Sequence, residues 1–153
     1  MKPISDFASR FGTKISFDET FVVKRQRRYF LLNENLKALA LNNFFHAGAY
    51  LGKIKHGKFV PSFNLLNMIA QKNVNSIVVD KKTEWLFVCG RDVFKQGIMT
   101  VAGSQKKGDY SLVLNSFGEC LGFGRIVYNL YGGRGKLALK NLLDIGDFLR
   151  RER

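Results

Sequence analysis

The spacing of apolar residues predicts three helices in the first half of the chain. Asn33 and Ser62 can each cap the first turn of a helix, and apolar residues follow both at three- and four-residue intervals. The apolar faces consist of Leu36, Leu39, Ala40 and Phe44 in the first of these helices and of Phe63, Leu66 and Ala70 in the second. A shorter opening helix over residues 5–10 should stop at Gly12, and Gly48 is placed to end the Asn33 helix.

Two pairs of predicted strands surround these helices. Residues 20–23 and 29–32 flank the basic segment 24–28, which we interpret as a hairpin turn. Residues 49–54 and 58–60 flank His56 and Gly57, a glycine-containing turn. The first half therefore has an α+β pattern, with an antiparallel sheet and helices.

The pattern changes in the second half, which holds eleven of the 15 glycines. Glycine tolerates positive φ and tight connections, so we expect mostly short strands and turns there. The predicted strands cover residues 76–79, 85–88, 99–101, 110–114, 121–128 and 137–142, with a polar break at 80–83 and a helix-like turn at 92–96. Closely spaced strands of this kind predict a small β-barrel. The predicted division is a domain over residues 1–76 and a second domain over residues 77–153.

Charge is the informative part of the composition. The 153 residues include 25 Lys+Arg against 12 Asp+Glu, a net charge of +13. Such an excess attracts polyanions, which means nucleic acid or an anionic membrane surface. The hydrophobic share of 46% is that of a folded soluble protein. No apolar run reaches the ~18 residues of a membrane helix, the start of the chain lacks the pattern of a signal peptide, and two cysteines fit a reducing interior. We therefore expect a cytoplasmic protein, or a nucleolar one if it is eukaryotic.

Three segments of the second half resemble a known family. The segment FVCGRDVFKQGI at 87–98 resembles the opening strand and helix of a PUA domain, an RNA-binding pseudo-barrel, and LGFG at 121–124 resembles its central strand. The segment DIGDFLR at 144–150 resembles the closing segment of the Nip-seven family of ribosome-biogenesis factors, which act on the large subunit.

The first half extends this resemblance over nearly the whole chain. Tyr29-Phe30 followed by the Asn33 helix, and GAYLGKIKHGKF at 48–59, are similar to the amino-terminal half of that family. The given sequence ends at Arg153 and does not include the longer tail of nucleolar relatives. In this respect it is more similar to a compact archaeal member of the family.

The resemblance implies an adaptor rather than a catalyst. A Nip-seven protein would bind single-stranded segments of pre-ribosomal RNA through the PUA domain and recruit ribosome-assembly or RNA-processing proteins, with exosome components among the candidates. We expect a monomer without cofactor or metal. The alternative is an accessory protein of an RNA-modifying or RNA-processing enzyme.

The loop at 128–136 is the sharpest candidate for RNA contact. Its glycines allow a close approach to phosphates, Arg134 and Lys136 supply charge, and Tyr128 or Tyr131 can stack on an unpaired base. The plainer interpretation is a barrel connection with solvated charges. The full set of candidates is Arg91, Lys95, Arg125, Tyr128, Tyr131, Arg134, Lys136, Lys140, Arg150 and Arg151. We place Arg91 and Lys95 on one short helix. The direction of the Arg125 side chain is left open, since it lies in an alternating strand. Arg150 and Arg151 are interpreted as a solvated end of the chain.

A secondary basic patch is formed by the densest run of positive charge, Lys24, Arg25, Arg27 and Arg28. Three interpretations are open: a second phosphate contact, a nuclear localisation signal, or a solvated hairpin tip without a binding role.

The residues give little support for catalysis. His46 falls near a helix end and His56 in a turn, and neither belongs to a nucleophile or general-base motif. Cys89 is placed as a core residue of an apolar strand, whereas Cys120 next to a turn can be exposed. The paired cysteine or histidine spacings of a zinc site are missing. The glycines at 122 and 124 lie inside a predicted strand, which argues against a dinucleotide site, and Asp144 and Asp147 indicate a helix start. We therefore expect no enzyme activity.

Overall fold

The computed structural model describes residues 2–39, 46–104, 106–130 and 136–151. Five helices lie in this part of the chain. They are α1 (Lys2–Ser9), α2 (Glu34–Leu39), α3 (Phe63–Ala70), α4 (Lys81–Val88) and α5 (Ile145–Arg151). Two 3₁₀ turns cover Glu19–Phe21 and Lys95–Gly97. Within these residues, none of the helices has the length and apolar character needed to cross a membrane.

Sheet A is an antiparallel sheet of four strands in the order of the chain. Its strands are β1 (Val22–Arg25), β2 (Arg28–Leu31), β3 (Ala49–Lys55) and β4 (Lys58–Pro61). The turn between β3 and β4 has positive φ at both His56 (48°) and Gly57 (73°), as a tight hairpin turn requires. The predicted turn at these two residues is confirmed.

Sheet B has six strands and curls upon itself. Its strands are β5 (Ser76–Val79), β6 (Val93–Phe94), β7 (Ile98–Ala102), β8 (Tyr110–Leu114), β9 (Cys120–Ile126) and β10 (Leu137–Asp144). Their order in the sheet is β6-β10-β9-β8-β5-β7, so the two edge strands are consecutive in the chain and only the Lys95–Gly97 turn separates them. The single segment that forms both edges brings the ends of the sheet together. The predicted α+β fold, a first antiparallel sheet with helices followed by a barrel-like second sheet, is confirmed.

One hydrophobic cluster joins the two sheets. Phe7 and Phe11, on and just after α1, pack against Phe123 on β9 with ring centroids 5.4 and 5.6 Å apart. Phe7 also packs against Phe59 on β4 at 5.6 Å, so α1 lies between sheet A and sheet B. The boundary between residues 76 and 77 remains a prediction, but residues from both sides of it share this core.

A second cluster fills the inside of sheet B. It consists of Ile77, Val79, Phe87, Val93, Val113, Leu121 and Leu139. Phe87 comes from α4, which therefore covers one opening of the curled sheet. The two clusters lie on opposite faces of β9, and Phe123 and Leu121 belong to different ones.

Helix α4 corrects the prediction of a strand at residues 85–88. Asp80 caps the helix by accepting a hydrogen bond from the Thr83 amide at 2.7 Å, and Gly90 with φ 89° follows its end. The run of aromatic and branched residues favours a strand locally. The capping aspartate and the glycine were the helix signals, and the polar segment at 80–83 is the start of this helix rather than a break.

Both cysteines lie in environments opposite to those predicted. Cys89 follows α4 and is exposed, whereas Cys120 on β9 is buried. Burial raises the pKa of the Cys120 thiol to about 11, with a smaller opposing effect of the Gly122 backbone. Cys120 is therefore a core residue, and Cys89 is the accessible thiol.

The capping residues of the first half are confirmed. Asn33 accepts a hydrogen bond from the Leu36 amide at 2.9 Å, and Ser62 accepts one from the Leu65 amide at 3.2 Å. Helix α2 is described only as far as Leu39. The predicted apolar positions Ala40 and Phe44 lie outside the described residues.

Gly122 permits a bulge in β9. Gly122 pairs with Val113 and Cys120 pairs with Leu114, so Leu121 is an extra residue. The φ of Gly122 is 147°, and a Cβ at this position would collide with the carbonyl oxygen of Leu143. The bulge is what lets Leu121 face the inside of the sheet while Phe123 faces α1.

Gly122→Ala should lower the free energy of unfolding by about 2–4 kcal/mol, because backbone strain adds to overpacking. Gly118→Ala is the matched control, since Gly118 has φ 79° and open space around it. Its cost should stay at about 1 kcal/mol. Urea unfolding measures both variants. Equal losses in the two variants would contradict the role given to Gly122.

Candidate nucleic-acid interface

A row of directly paired residues crosses the outer face of sheet B. Tyr110 on β8 lies opposite Arg125 on β9, which lies opposite Lys140 on β10. Directly paired residues share one face of a sheet, with Cβ atoms about 4.5–5.5 Å apart. Arg125 and Lys140 are exposed and Tyr110 is half-buried. The open question of the direction of Arg125 is settled, because its side chain lies on the outer face. We call Tyr110, Arg125 and Lys140 the basic row.

Arg10 extends the basic row from the end of α1. Its Nη1 donates a hydrogen bond to Tyr110 Oη at 2.9 Å, and its guanidinium carbon lies 5.1 Å from the ring centroid. Tyr110 is itself held by ring contacts with Phe11 and Phe123 at 5.8 and 5.6 Å. Sequence analysis missed Arg10, because nothing near it in the chain indicates a contact with a residue 100 positions away.

A second group of basic residues lies where the loops of sheet B meet, beside the end of β9. The Lys95 amide donates a hydrogen bond to the Lys136 carbonyl at 2.9 Å, and the Lys107 amide donates one to Asn129 Oδ1 at 2.8 Å. Tyr128 is 46% exposed, which leaves its ring available for stacking. We call Lys95, Lys107, Tyr128 and Lys136 the loop end. Lys107 was not among the predicted residues.

The chain order connects the loop end to the basic row. Arg125 is the next-to-last residue of β9, three positions before Tyr128, and Lys140 lies four positions after Lys136. Tyr131 and Arg134 fall outside the described residues and stay predictions. Among the predicted residues, the structure thus brings Lys95 to Lys136 and Arg125 to Lys140.

Arg91 and Lys95 do not share a short helix, which corrects the prediction. Residues 93–97 form β6 and a 3₁₀ turn, and Arg91 precedes them in the loop after α4. The Arg91 amide donates to the Leu86 carbonyl at 3.0 Å, and its carbonyl accepts from Asn141 Nδ2 at 3.3 Å. Arg91 is therefore exposed beside the middle of β10, away from the loop end.

Arg150 is ion-paired rather than only solvated, although its side chain is 46% exposed. Its Nη2 donates to both carboxylate oxygens of Asp144, at 2.9 and 3.0 Å, and its Nη1 donates to the Val88 carbonyl at 2.7 Å. Asp144 is 4% exposed and also accepts from the Asp147 amide at 2.9 Å, which confirms the predicted helix start. Arg150 thus ties α5 to α4 and β10. The side chain of Arg151 lies outside the described part of the structure.

A cleft of about 280 Å³ lies between α4 and the β6 segment. It is lined by Asp80, Lys82, Thr83, Leu86, Asp92, Phe94, Gln96 and Gly97. The pKa of Asp80 is lowered by its hydrogen bonds from Thr83, so its carboxylate is ionised at neutral pH. The cleft contains two carboxylates, those of Asp80 and Asp92, and one ammonium group, that of Lys82. It is therefore a poorer site for a phosphate than the basic row.

The secondary basic patch is divided between two faces of sheet A, which corrects its placement in one turn. Arg25 and Arg28 end β1 and begin β2 and lie directly opposite each other. Lys24 pairs with the buried Tyr29 and lies on the other face, with its Nζ 5.8 Å from the ring centroid. Arg27 is exposed in the turn itself.

The remaining candidate chemical groups are dispersed. His46 packs against Phe30 and Tyr50 with ring centroids 5.3 and 6.4 Å apart, and His56 lies in its predicted turn. Among the residues that the structure describes, no three His, Cys, Asp or Glu side chains gather where they could hold a metal ion.

The geometry of sheet B agrees with comparisons to known proteins. A family model described as the UPF0113 PUA domain matches residues 75–153, and the chain belongs to this family. PUA domains are RNA-binding modules, so RNA is the ligand class of the protein. The resemblance to PUA domains is thereby confirmed.

Solved structures share the fold over almost the whole chain. A conserved PUA domain protein from Thermoplasma acidophilum is 25% identical, with 99% of this chain and 92% of that chain covered and a TM-score of 0.62. A hypothetical protein from Pyrococcus horikoshii is 16% identical, with 99% and 92% covered and a TM-score of 0.61. A PUA domain from Aeropyrum pernix is 15% identical, with 97% and 83% covered and a TM-score of 0.62. No curated protein matches the sequence.

Arg150→Met should lower the free energy of unfolding by about 1–2 kcal/mol, because the buried Asp144 carboxylate loses charged donors. Lys140→Gln, at an exposed position, is the control and should not lower stability. Urea unfolding measures the loss of stability. RNA affinity is measured under conditions where both variants are folded, and it should change less for Arg150→Met than for Lys140→Gln. Unchanged stability in Arg150→Met would show that the ion pair contributes nothing.

Proposed function

We propose that the protein is an RNA-binding assembly factor of the large ribosomal subunit. It holds a single-stranded segment of pre-ribosomal RNA on the outer face of its PUA domain and recruits assembly or RNA-processing proteins to it. The observation that carries the proposal is the alignment of Arg10, Arg125 and Lys140 on one exposed face around Tyr110.

Electrostatics and stacking both favour RNA at this surface. Arg125 and Lys140 are neighbours of the same charge, an arrangement that weakens a sheet unless an anion neutralises it. Phosphates supply that anion, and each contact releases counterions and adds to the salt dependence of binding. The exposed Tyr128 beside Lys136 offers a stacking surface for an unpaired base, a contact of roughly 1–3 kcal/mol.

The role in assembly rests on the resemblance to the Nip-seven family, which extends over the amino-terminal half. We propose that the protein acts by binding and without catalysis. This is supported by Cys120, whose buried thiol has a pKa raised to about 11, and by His46, whose ring packs against Phe30 and Tyr50. A cytoplasmic location is part of the same proposal.

Arg125→Gln combined with Lys140→Gln should weaken binding of a single-stranded RNA by about 5- to 30-fold at low salt. The slope of log K against log salt should become less steep by about 1.4, for two lost phosphate contacts. Lys14→Gln with Lys72→Gln is the matched control, with the same charge change at exposed positions outside sheet B. Fluorescence anisotropy over a salt series measures all three proteins.

Wild-type affinity and slope in the Arg125/Lys140 variant would remove the basic row from the interface. An equal loss in the control variant would mean that only net charge matters. Turnover of the RNA in the same incubations, detected as changed nucleoside masses or chain lengths, would overturn the proposal that the protein is not an enzyme.

The assembly role predicts which RNA the protein binds in its own cells. Ultraviolet crosslinking followed by sequencing should recover chiefly precursor RNA of the large subunit, and the protein should sediment with large-subunit precursors until salt is raised. The Arg125/Lys140 variant should lose most of these reads. Recovery of mainly transfer RNA or messenger RNA would contradict the role in assembly while leaving RNA binding intact.

A further inference from the structure

The outer face of sheet A carries five basic side chains in two neighbouring rows. Arg25 pairs with Arg28, and Arg28 pairs with Lys53 on β3, which forms one row across three strands. Lys55 pairs with Lys58 across the β3–β4 hairpin and forms the second row. Lys53, Lys55 and Lys58 are exposed, and Arg25 and Arg28 are half-buried. We call these five residues the basic face.

The core determines that these residues point away from it. Tyr29, Ile54 and Phe59 contribute to the cluster between sheet A and α1. Strand residues alternate between faces, so the neighbours Arg28, Lys53 and Lys58 are directed to the opposite side. The basic face therefore lies on the far side of sheet A from α1 and sheet B.

Several observations place a strong positive potential at the basic face. Strands β1 to β4 contain no Asp or Glu, so no carboxylate alternates with the cations along them. Residues two apart on a strand are about 6.8 Å apart and neighbouring strands are about 4.8 Å apart, which makes a dense array of cations. Burial raises the pKa of Tyr50, and the Arg28 charge acts in the opposite direction, which places the guanidinium group close to that hydroxyl.

Cations lie directly opposite one another on the basic face. Lys55 lies opposite Lys58 across the β3–β4 hairpin, and such a pair of like charge is unfavourable in a sheet. An anionic partner with regularly spaced charges converts this repulsion into attraction. Charge complementarity thus indicates a polyanion on this face, as it does for the basic row.

We infer that the basic face binds the phosphate backbone of double-helical RNA, as a second contact separate from the PUA surface. This inference rests on the proposed function for the choice of RNA. A single strand is held by stacking as well as by charge. Tyr50 lies on the same side of sheet A, but it is half-buried and packs against Phe30 with ring centroids 5.5 Å apart, so it offers less surface for stacking than the exposed Tyr128. Double-helical RNA is recognised mainly through its backbone and shape, which a flat array of cations can match. The protein would then hold a helix on sheet A and an unpaired strand on sheet B.

The test compares two RNAs and three variants of the full chain. The RNAs are a duplex of about 16 base pairs, the length that double-stranded RNA-binding domains span, and an unstructured single strand of equal length. The variants are Lys53→Gln/Lys55→Gln/Lys58→Gln, the Arg125→Gln/Lys140→Gln variant, and a control, Lys2→Gln/Lys14→Gln/Lys72→Gln. The control removes three exposed lysines outside the basic face and the basic row.

The Lys53/Lys55/Lys58 variant should lose duplex affinity by about 10- to 100-fold. The slope of log K against log salt should become less steep by about 2–3, when each of the three lost phosphate contacts is counted at the value for duplex DNA. Its affinity for the single strand should fall no further than that of the control. The Arg125/Lys140 variant should show the reverse pattern. The changes are at exposed side chains, and circular dichroism and urea unfolding confirm that each variant is folded.

Two results would overturn the inference while leaving the proposed function intact. One is wild-type duplex affinity in the Lys53/Lys55/Lys58 variant, or a loss equal to that of the control. The other is binding of the basic face to vesicles of phosphatidylserine with no binding to the duplex, which would make it a membrane contact. A wild-type protein that binds neither RNA at low salt would instead refute the proposed function itself.

Discussion

The packing of α1 against β9 is the contact on which the arrangement of the molecule depends. Phe7 and Phe11 meet Phe123 edge to face, with ring centroids 5.4 and 5.6 Å apart, and these rings join sheet A to sheet B in one core. Aromatic pairs of this kind contribute about 0.5–1.5 kcal/mol each beyond the area that they bury. Phe123 and Arg125 lie on the same face of β9. The helix that covers Phe123 ends near Arg125, and it delivers Arg10 to Tyr110 at this edge. The extension of the basic row by Arg10 is thus a consequence of how the two sheets are joined.

The two basic surfaces arise in different ways. In sheet A one set of alternate residues is committed to the core, and Arg and Lys occupy the outward set over a wide area. In sheet B both faces of β9 contribute to hydrophobic clusters, and Arg125 is exposed on the face of Phe123 at the end of the strand. The basic row is therefore narrower than the basic face, and the exposed Tyr128 follows it in the chain. Two surfaces of the same sign therefore differ in the nucleic-acid structure that each one suits.

Local features were predictable, whereas a misleading local signal produced the main error. The caps at Asn33 and Ser62 and the turn at His56 depend on atoms within three or four residues. The aromatic and branched residues of α4 favour a strand, and the helix forms because Asp80 caps it and Phe87 fills the inside of sheet B. The exposure of Cys89 follows from that error, since it lies at the end of the helix, whereas Cys120 is buried because it belongs to β9.

The sequence alone determined the strong positive charge, the α+β pattern and the PUA-like order of motifs, because composition and short-range patterns are independent of the path of the chain. Tertiary structure decided which of the charged residues act together. Arg10 and Tyr110 come together, Arg125 and Lys140 become neighbours through strand order, and Arg150 is used to neutralise the buried Asp144. Strand register and helix packing bring distant residues together, and no window of a few residues contains that information.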